Sequence, residues 1–263
     1  MMPSKHFCRA AALAAIVLTL AAPLPSSGDV LTYDRETLPG GGVLIVKESH
    51  QLPIVTIEIS LQAGARFEAL DRQGLAQMTA GMLLRGTGKK SASSIEKRND
   101  RLGGGVSVSA GRDFATASLR VLTRDLGEGM ELLSDLLRRP IFPSKELGKM
   151  KARTLGGIER RKDRPGYLAD KAFRKRIFGD HPYGRRVEGL PETIKNIRRA
   201  DLGKFHRQRY GMKGTVFVFV GDITLARARD MVLGRFRGWR AKPVPSPAIP
   251  ASKKITKREV IKI

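Results

Sequence analysis

Two periods of hydrophobic and polar positions alternate along the chain. Residues 42–47 (Gly-Val-Leu-Ile-Val-Lys) and 53–62 (Pro-Ile-Val-Thr-Ile-Glu-Ile-Ser-Leu-Gln) are rich in β-branched side chains, and polar residues separate Val55, Ile57 and Ile59. A period of two with one apolar face marks a half-buried strand, so two strands joined around Ser49–Leu52 are expected. From Gln73 to Leu84 the spacing becomes helical, with Leu75, Met78, Thr79, Met82 and Leu83 on one stripe and Gly86-Thr87-Gly88 as the stop. Ser91–Arg101 predicts a second helix, with Ser93 as its cap and Glu96 three residues on. Gly103-Gly104-Gly105 ends it.

Val106–Ala110 and Phe114–Val121 alternate again around Gly111-Arg112-Asp113, which predicts a hairpin. Helices are expected over Asp125–Arg138, Ser144–Lys162, Pro165–Phe178, Asp201–Arg209 and Leu225–Phe236, with a strand at Val216–Val220. This order predicts an α+β fold, a mainly antiparallel sheet with helices packed on one face. Beyond Trp239 the texture changes. Lys242–Pro250 is proline-rich and reads as a linker, and Ile255–Ile263 alternates like the opening strand of another unit.

Composition changes the picture at two points. Lys5 and Arg9, the uncharged run Ala11–Ala22 and the small residues of Pro23–Gly28 read as a secretory signal, too short in its apolar part to span a bilayer. Residues 1–28 are therefore expected to leave, taking Cys8, the one cysteine, with them, and no transmembrane helix is expected afterwards. The chain also carries 49 Lys and Arg against 25 Asp and Glu, a formal net charge of +24. An excess of this size suggests an acidic partner. The cations are spread along helices, as in Arg160-Arg161-Lys162 and Arg174-Lys175-Arg176, and only 6% of residues are aromatic. Together with the secretory signal, this argues against nucleic acid as the partner.

Several motifs, in order, resemble the amino-terminal half of the pitrilysin/insulinase zinc peptidases. They are Gly42-Val-Leu-Ile-Val-Lys, Gln62-Ala-Gly-Ala-Arg66, Gly74-Leu75-Ala76 leading to Met82-Leu-Leu-Arg-Gly-Thr87, Asp163-Arg-Pro165, Phe178-Gly-Asp-His-Pro-Tyr-Gly184, Gly189-Leu-Pro-Glu192 and Val220-Gly-Asp222. The resemblance spans roughly residues 30–240. It implies a family domain over 29–240, with 241–263 as linker and the start of a second half.

Active members of that family carry H-x-x-E-H on the helix after the Gly-Leu-Ala element. Residues at i and i+4 share a helix face, so two histidines there grip one zinc ion. The intervening glutamate serves as base for the metal-bound water, and a distant glutamate completes the ligand set. Here the corresponding positions are Gln77, Ala80, Gly81 and, counted back from Asp163-Arg-Pro165, Gly157. None offers imidazole or carboxylate, so no cofactor is expected although active relatives use zinc. Glu159 is two residues from the distal position, on a different helix face. His50, His181 and His206 fall in a turn, a loop and a helix. Gly156-Gly157 in mid-helix costs about 2 kcal/mol relative to Ala-Ala. Together with Gly81, it reads either as sequence relaxed at a lost site or as a close helix–helix contact. Arg85-Gly-Thr-Gly-Lys-Lys-Ser91 lacks the first glycine of a phosphate loop and follows a helix, so nucleotide binding is not expected.

The resemblance thus implies a non-catalytic relative that forms a hetero-oligomeric chamber with an active family member. Extended peptide would be taken up on the edge strand Val106-Ser107-Val108-Ser109, in a secreted, periplasmic setting. Two alternatives stand beside it. One is a zinc-dependent endopeptidase with displaced ligands, and the other is a basic module binding anions or the envelope.

Overall fold

The computed structural model describes residues 32–179, 181–242, 258 and 260. The expected secretory signal and the stretch 243–257 lie outside the described residues. All described elements belong to the unit Tyr33–Ile263. Its strands are β1 (Asp34–Leu38), β2 (Gly42–Glu48), β3 (Ile54–Leu61), β4 (Val106–Ala110), β5 (Ala115–Leu122) and β6 (Val216–Gly221). Its helices are α1 (Leu75–Leu83), α2 (Ala92–Arg101), α3 (Leu126–Arg138), α4 (Ser144–Glu159), α5 (Pro165–Phe178), α6 (Pro191–Asn196), α7 (Arg199–Arg209) and α8 (Leu225–Phe236).

The α+β expectation is borne out. The strands form one sheet in the order β1-β2-β6-β3-β5-β4. Four of the pairings are antiparallel, and β2 with β6 is parallel. The sheet buries one face: Leu44 and Val46, Val55, Ile57 and Ile59, Ala117 and Leu119, and Phe217 and Phe219 are all at most 1% exposed. Alternate residues such as Thr56 and Glu58 are exposed. Helices α1, α3 and α8 pack on β4, β5 and β2 respectively.

Three local expectations change. The consecutive strands β2 and β3 do not pair, because β6, from the far end of the sequence, lies between them. Strand β1 was not expected, since Asp-Arg-Glu-Thr-Leu carries a single apolar residue at its end. The cap of α2 is Ser91, whose hydroxyl accepts from the Ser94 N–H at 3.3 Å. Ser93 bonds the Ser91 hydroxyl instead, and Glu96 pairs with Arg85 at 2.5 Å rather than closing a capping box.

Candidate functional site

Helix α1 is positioned from both ends of its first turn. Gly74, just before it, has φ +91°, and a Cβ there would lie 2.6 Å from Ile194 Cδ1 and 2.9 Å from the Glu188 carbonyl. Gly189, at φ +81°, would place a Cβ 2.4 Å from the Gln73 carbonyl. The Gly-Leu-Ala and Gly-Leu-Pro-Glu motifs are thus two backbones in near contact that admit no side chain between them. The Thr193 hydroxyl locks the junction by donating to the Gln73 carbonyl at 2.7 Å.

The free N–H groups of the first turn meet Glu68, whose carboxylate accepts from Gly74 at 3.0 Å and Ala76 at 2.6 Å. Glu68 is buried, and burial pushes its carboxyl up to about 8 against the opposing pull of these two N–H groups and Arg185. Sequence reasoning missed this cap because its acid sits six residues before the cap position, Gly74, rather than at it.

The stripe Leu75, Met78, Thr79, Met82 and Leu83 is buried as expected, and Ala80 is fully buried among it. Gln77 is exposed on the helix and turns its Oε1 to the edge of the sheet, accepting from the Ala110 N–H at 2.9 Å. Gly81 lies against α4, where an added Cβ would sit 2.9 Å from the Met150 methyl. Thr154 extends this contact, its hydroxyl 3.7 Å from the Met78 sulfur. Of the three mid-helix glycines, Gly81 makes the close interhelical approach. Gly156 and Gly157 do not: the groups within 4 Å of their added Cβ atoms belong to Arg160 and Arg161 of the same segment.

A zinc ion does not fit these residues. The one side-chain oxygen at the four positions, Gln77 Oε1, is engaged with the sheet, and Ala80, Gly81 and Gly157 carry no donor. Arg161 folds over the fourth position: its Nε donates to the Gly157 carbonyl at 3.1 Å, and its Nη2 lies 3.9 Å from where a Cβ would stand. A fixed cation at that point opposes a second one.

Glu159 and the described histidines are engaged elsewhere. Glu159 is exposed and pairs with Lys162 at 2.5 Å. His50 Nδ1 lies 2.6 Å from Asp222, which also accepts from the Thr123 hydroxyl, and the bond to this carboxylate raises the imidazole pKa. His181 accepts from the Tyr183 N–H at 3.0 Å. His206 is buried, donates through Nε2 to the Leu137 carbonyl at 2.8 Å and stacks on Tyr210. Among the described residues no group of three His, Cys, Asp or Glu side chains is arranged to hold a metal ion.

Strand β4 is an outer strand of the sheet. The bonds of Arg120 N–H to the Gly105 carbonyl and of Gly111 N–H to the Phe114 carbonyl bracket its register. Ser107 and Ser109 therefore turn their backbone groups to β5, and Val106, Val108 and Ala110 turn theirs outward. Asn99 closes both outward groups of Val106, its Nδ2 donating to the carbonyl at 3.0 Å and its Oδ1 accepting the N–H. Gln77 closes the Ala110 N–H. The Val108 N–H and carbonyl have no partner among the described residues. Away from α1 and β4, an apolar cleft of about 850 Å³ is lined by Met212, Leu233, Phe236 and Trp239.

Comparison with known proteins agrees with this architecture. Residues 43–189 match the model of the insulinase family of peptidases (peptidase family M16), and residues 196–263 match that of the peptidase M16 inactive domain. An uncharacterized zinc protease of Streptomyces coelicolor is 25% identical over 229 residues, 86% of this chain and 50% of that protein. The uncharacterized zinc protease YmxG of Bacillus subtilis is 23% identical over 75% of this chain and 48% of its own length. The chain spans about half the length of these curated relatives.

Among solved structures, a peptidase M16 inactive domain from Pseudomonas fluorescens superposes with a TM-score of 0.79 at 27% identity, covering 85% of this chain and 54% of that one. The first half of the periplasmic protease PqqL from Escherichia coli gives 0.73 at 18% identity, covering 83% and 48%. No described helix is long and apolar enough to cross a membrane. By the match that covers more than half of its length and by the fold it shares, this chain belongs to the insulinase family of peptidases, family M16.

Proposed function

We propose that this chain is a non-catalytic member of the M16 family that binds extended peptide along the open edge of β4 and forms a chamber with a catalytically active relative. The observation that carries the first part is the chemistry of four positions. Gln77, Ala80, Gly81 and Gly157 supply no imidazole, thiolate or carboxylate, and Arg161 stands beside the fourth. Strand addition draws on the outward Val108 N–H and carbonyl, which offer an incoming backbone one donor and one acceptor. Pairing with a partner draws on a solved neighbour of the same fold that is the first half of a longer protease. A periplasmic setting is supported by the amino-terminal secretory pattern and by the likeness to PqqL, a periplasmic protease.

The test is purification of the chain from its native host, with metal analysis and peptide hydrolysis in the presence and absence of chelator. The isolated chain is expected to carry no stoichiometric zinc and to cleave nothing, while a complex with a metal-bearing homologue cleaves peptides. Stoichiometric zinc with chelator-sensitive hydrolysis by the isolated chain would overturn the proposal. Strand addition is read separately, as slowed amide exchange at Val108 when peptide binds.

A further inference from the structure

Four arginines gather where the tip of the β4–β5 hairpin, the Ala65–Phe67 turn and the loop around 183–188 meet. The Arg66 N–H donates to the Arg112 carbonyl at 2.9 Å, which sets these two residues side by side. Arg66 Nε lies 3.5 Å from Asp113, and the Tyr183 hydroxyl donates to both oxygens of that carboxylate at 2.9 Å. Asp170 takes two bonds from Arg174 Nε at 2.8 and 2.9 Å, with Arg186 Nη1 3.9 Å away and Arg112 within electrostatic reach. Arg186 Nε is bonded to Glu188 at 3.0 Å, and Arg185 Nη1 donates to the Glu68 carbonyl at 2.9 Å.

These acids are committed to other donors, and donors remain. Arg66 Nε, Arg112 Nε, Arg185 Nε and Arg186 Nη1 are each buried without a hydrogen-bond acceptor among the described residues. Arg66 and Arg186 keep ion pairs with Asp113 and Glu188, so what stays open is four N–H donors in one neighbourhood, each of which an added acceptor would stabilise. Guanidinium groups pair best with a carboxylate or similar oxyanion. The position selects the occupant. The outward edge of β4 runs out at Ala110, and Gly111-Arg112 follow directly. A strand that pairs with Val108 and continues past Ala110, whose N–H Gln77 holds, therefore runs toward the cluster.

We propose that this arginine cluster is a subsite for a carboxylate of an acidic extended peptide lying along β4. The proposal rests on the peptide-binding reading above and adds the class of peptide selected. The probes are extended Val/Thr peptides carrying an Asp pair at one end or the other, and a matched peptide with Asn in place of Asp. Titrations use the full chain at about 0.1 M salt.

One Asp peptide is expected to bind about tenfold more tightly than its Asn counterpart. Arg112→Gln/Arg185→Gln is expected to erase that preference and leave the Asn peptide unaffected. Arg66→Gln serves as a second variant if the pair does not fold. Because the whole chain is basic, Lys97→Gln/Lys204→Gln, on exposed helix positions, is the charge-matched control and is expected to keep the preference. Equal affinity for Asp and Asn peptides, or equal loss in the control, overturns the subsite and leaves strand addition standing. A preference that depends on the arginines without slowed exchange at Val108 upholds the subsite and overturns strand addition. No binding by any peptide overturns both.

Discussion

Gln77 Oε1 accepts the N–H of Ala110 at 2.9 Å, so a residue of helix α1 closes one donor on the outer edge of the sheet. Asn99, from α2, closes both outward groups of Val106 at the other end of the same strand. An open strand edge invites pairing with another chain, and proteins usually cover or interrupt it. Here the cover is confined to the two ends of β4, which leaves an aperture at Val108. The position that corresponds by family resemblance to a zinc histidine thus acts on the neighbouring strand, one link in the chain from sequence to packing to accessible edge.

Truncating that side chain tests the arrangement. Gln77→Ala removes one hydrogen bond at an exposed site, where the loss is about 1 kcal/mol or less. The sharper readout is local. The amide of Ala110 is expected to exchange faster in the variant while that of Ser118, which faces Ser107 inside the β4–β5 ladder, is unchanged. Equal protection of Ala110 in both proteins would show that Gln77 does not hold the edge.

The glycines of the two facing helices separate by what an added methyl would meet. At Gly157 the nearest group is Arg161 Nη2 at 3.9 Å, an ordinary van der Waals separation. Gly157→Ala is therefore expected to raise stability by about 1 kcal/mol, the helix-propensity difference. At Gly81 the same change pushes on the Met150 methyl from 2.9 Å, so part of that gain is spent in moving it. Denaturant midpoints should rank Gly157→Ala above Gly81→Ala, and the reverse order would contradict the packing described for α1 and α4.

The sequence made visible what depends on period and on local signals. The alternation of Val55, Ile57 and Ile59 and the stripe Leu75-Met78-Met82 located β3 and α1, because burial of one face imposes a period on neighbouring residues. It did not reveal β1, where Asp34–Thr37 are polar and the strand is held by its backbone pairing with β2. Nor did it reveal that β6 separates β2 from β3, since pairing partners far apart leave no periodic trace. The cap of α2 was misplaced by two residues because Ser91, Ser93 and Ser94 all carry the right chemistry and only the backbone turn chooses among them. At the site, the absence of ligand chemistry at 77, 80, 81 and 157 was readable from the motif. The arginine cluster was not, because Arg66, Arg112 and Arg185–Arg186 come from three separate segments.

Glu68 links the first turn of α1 to pH. Its carboxyl sits near 8 in the folded chain against 4.5 as the ordinary value. Between those limits the native state keeps a proton that the unfolded chain has released. Stability contributed through this residue is therefore present at low pH and is lost as pH rises through about 8. Glu68→Gln keeps an oxygen to accept from the helix and removes the titration. Its stability relative to the wild type is expected to improve steadily from about pH 5 to about pH 8, measured by urea unfolding at stepped pH. A difference independent of pH would mean that Glu68 is charged throughout.

His206 carries the opposite sign. Burial between Phe142 and Tyr210 pushes its pKa down to about 4 from 6.5, overriding the Leu137 carbonyl that favours the charged ring, with Arg207 adding to the depression. Below about pH 6.5 the unfolded chain takes up a proton that the folded chain refuses until about pH 4. The stability it contributes is complete above 6.5 and is lost on acidification across that window, by about 3 kcal/mol in total. His206→Gln retains an N–H donor for the Leu137 carbonyl without a titrating ring, so its acid limb is expected to be flatter than the wild type between pH 6.5 and 4. Because Glu68 and His206 act in opposite directions over an overlapping range, the wild-type profile alone does not separate them, whereas the two single variants do. A His206→Gln profile parallel to the wild type would show that the imidazole takes up its proton alike in the folded and unfolded chains, so that burial does not hold it neutral.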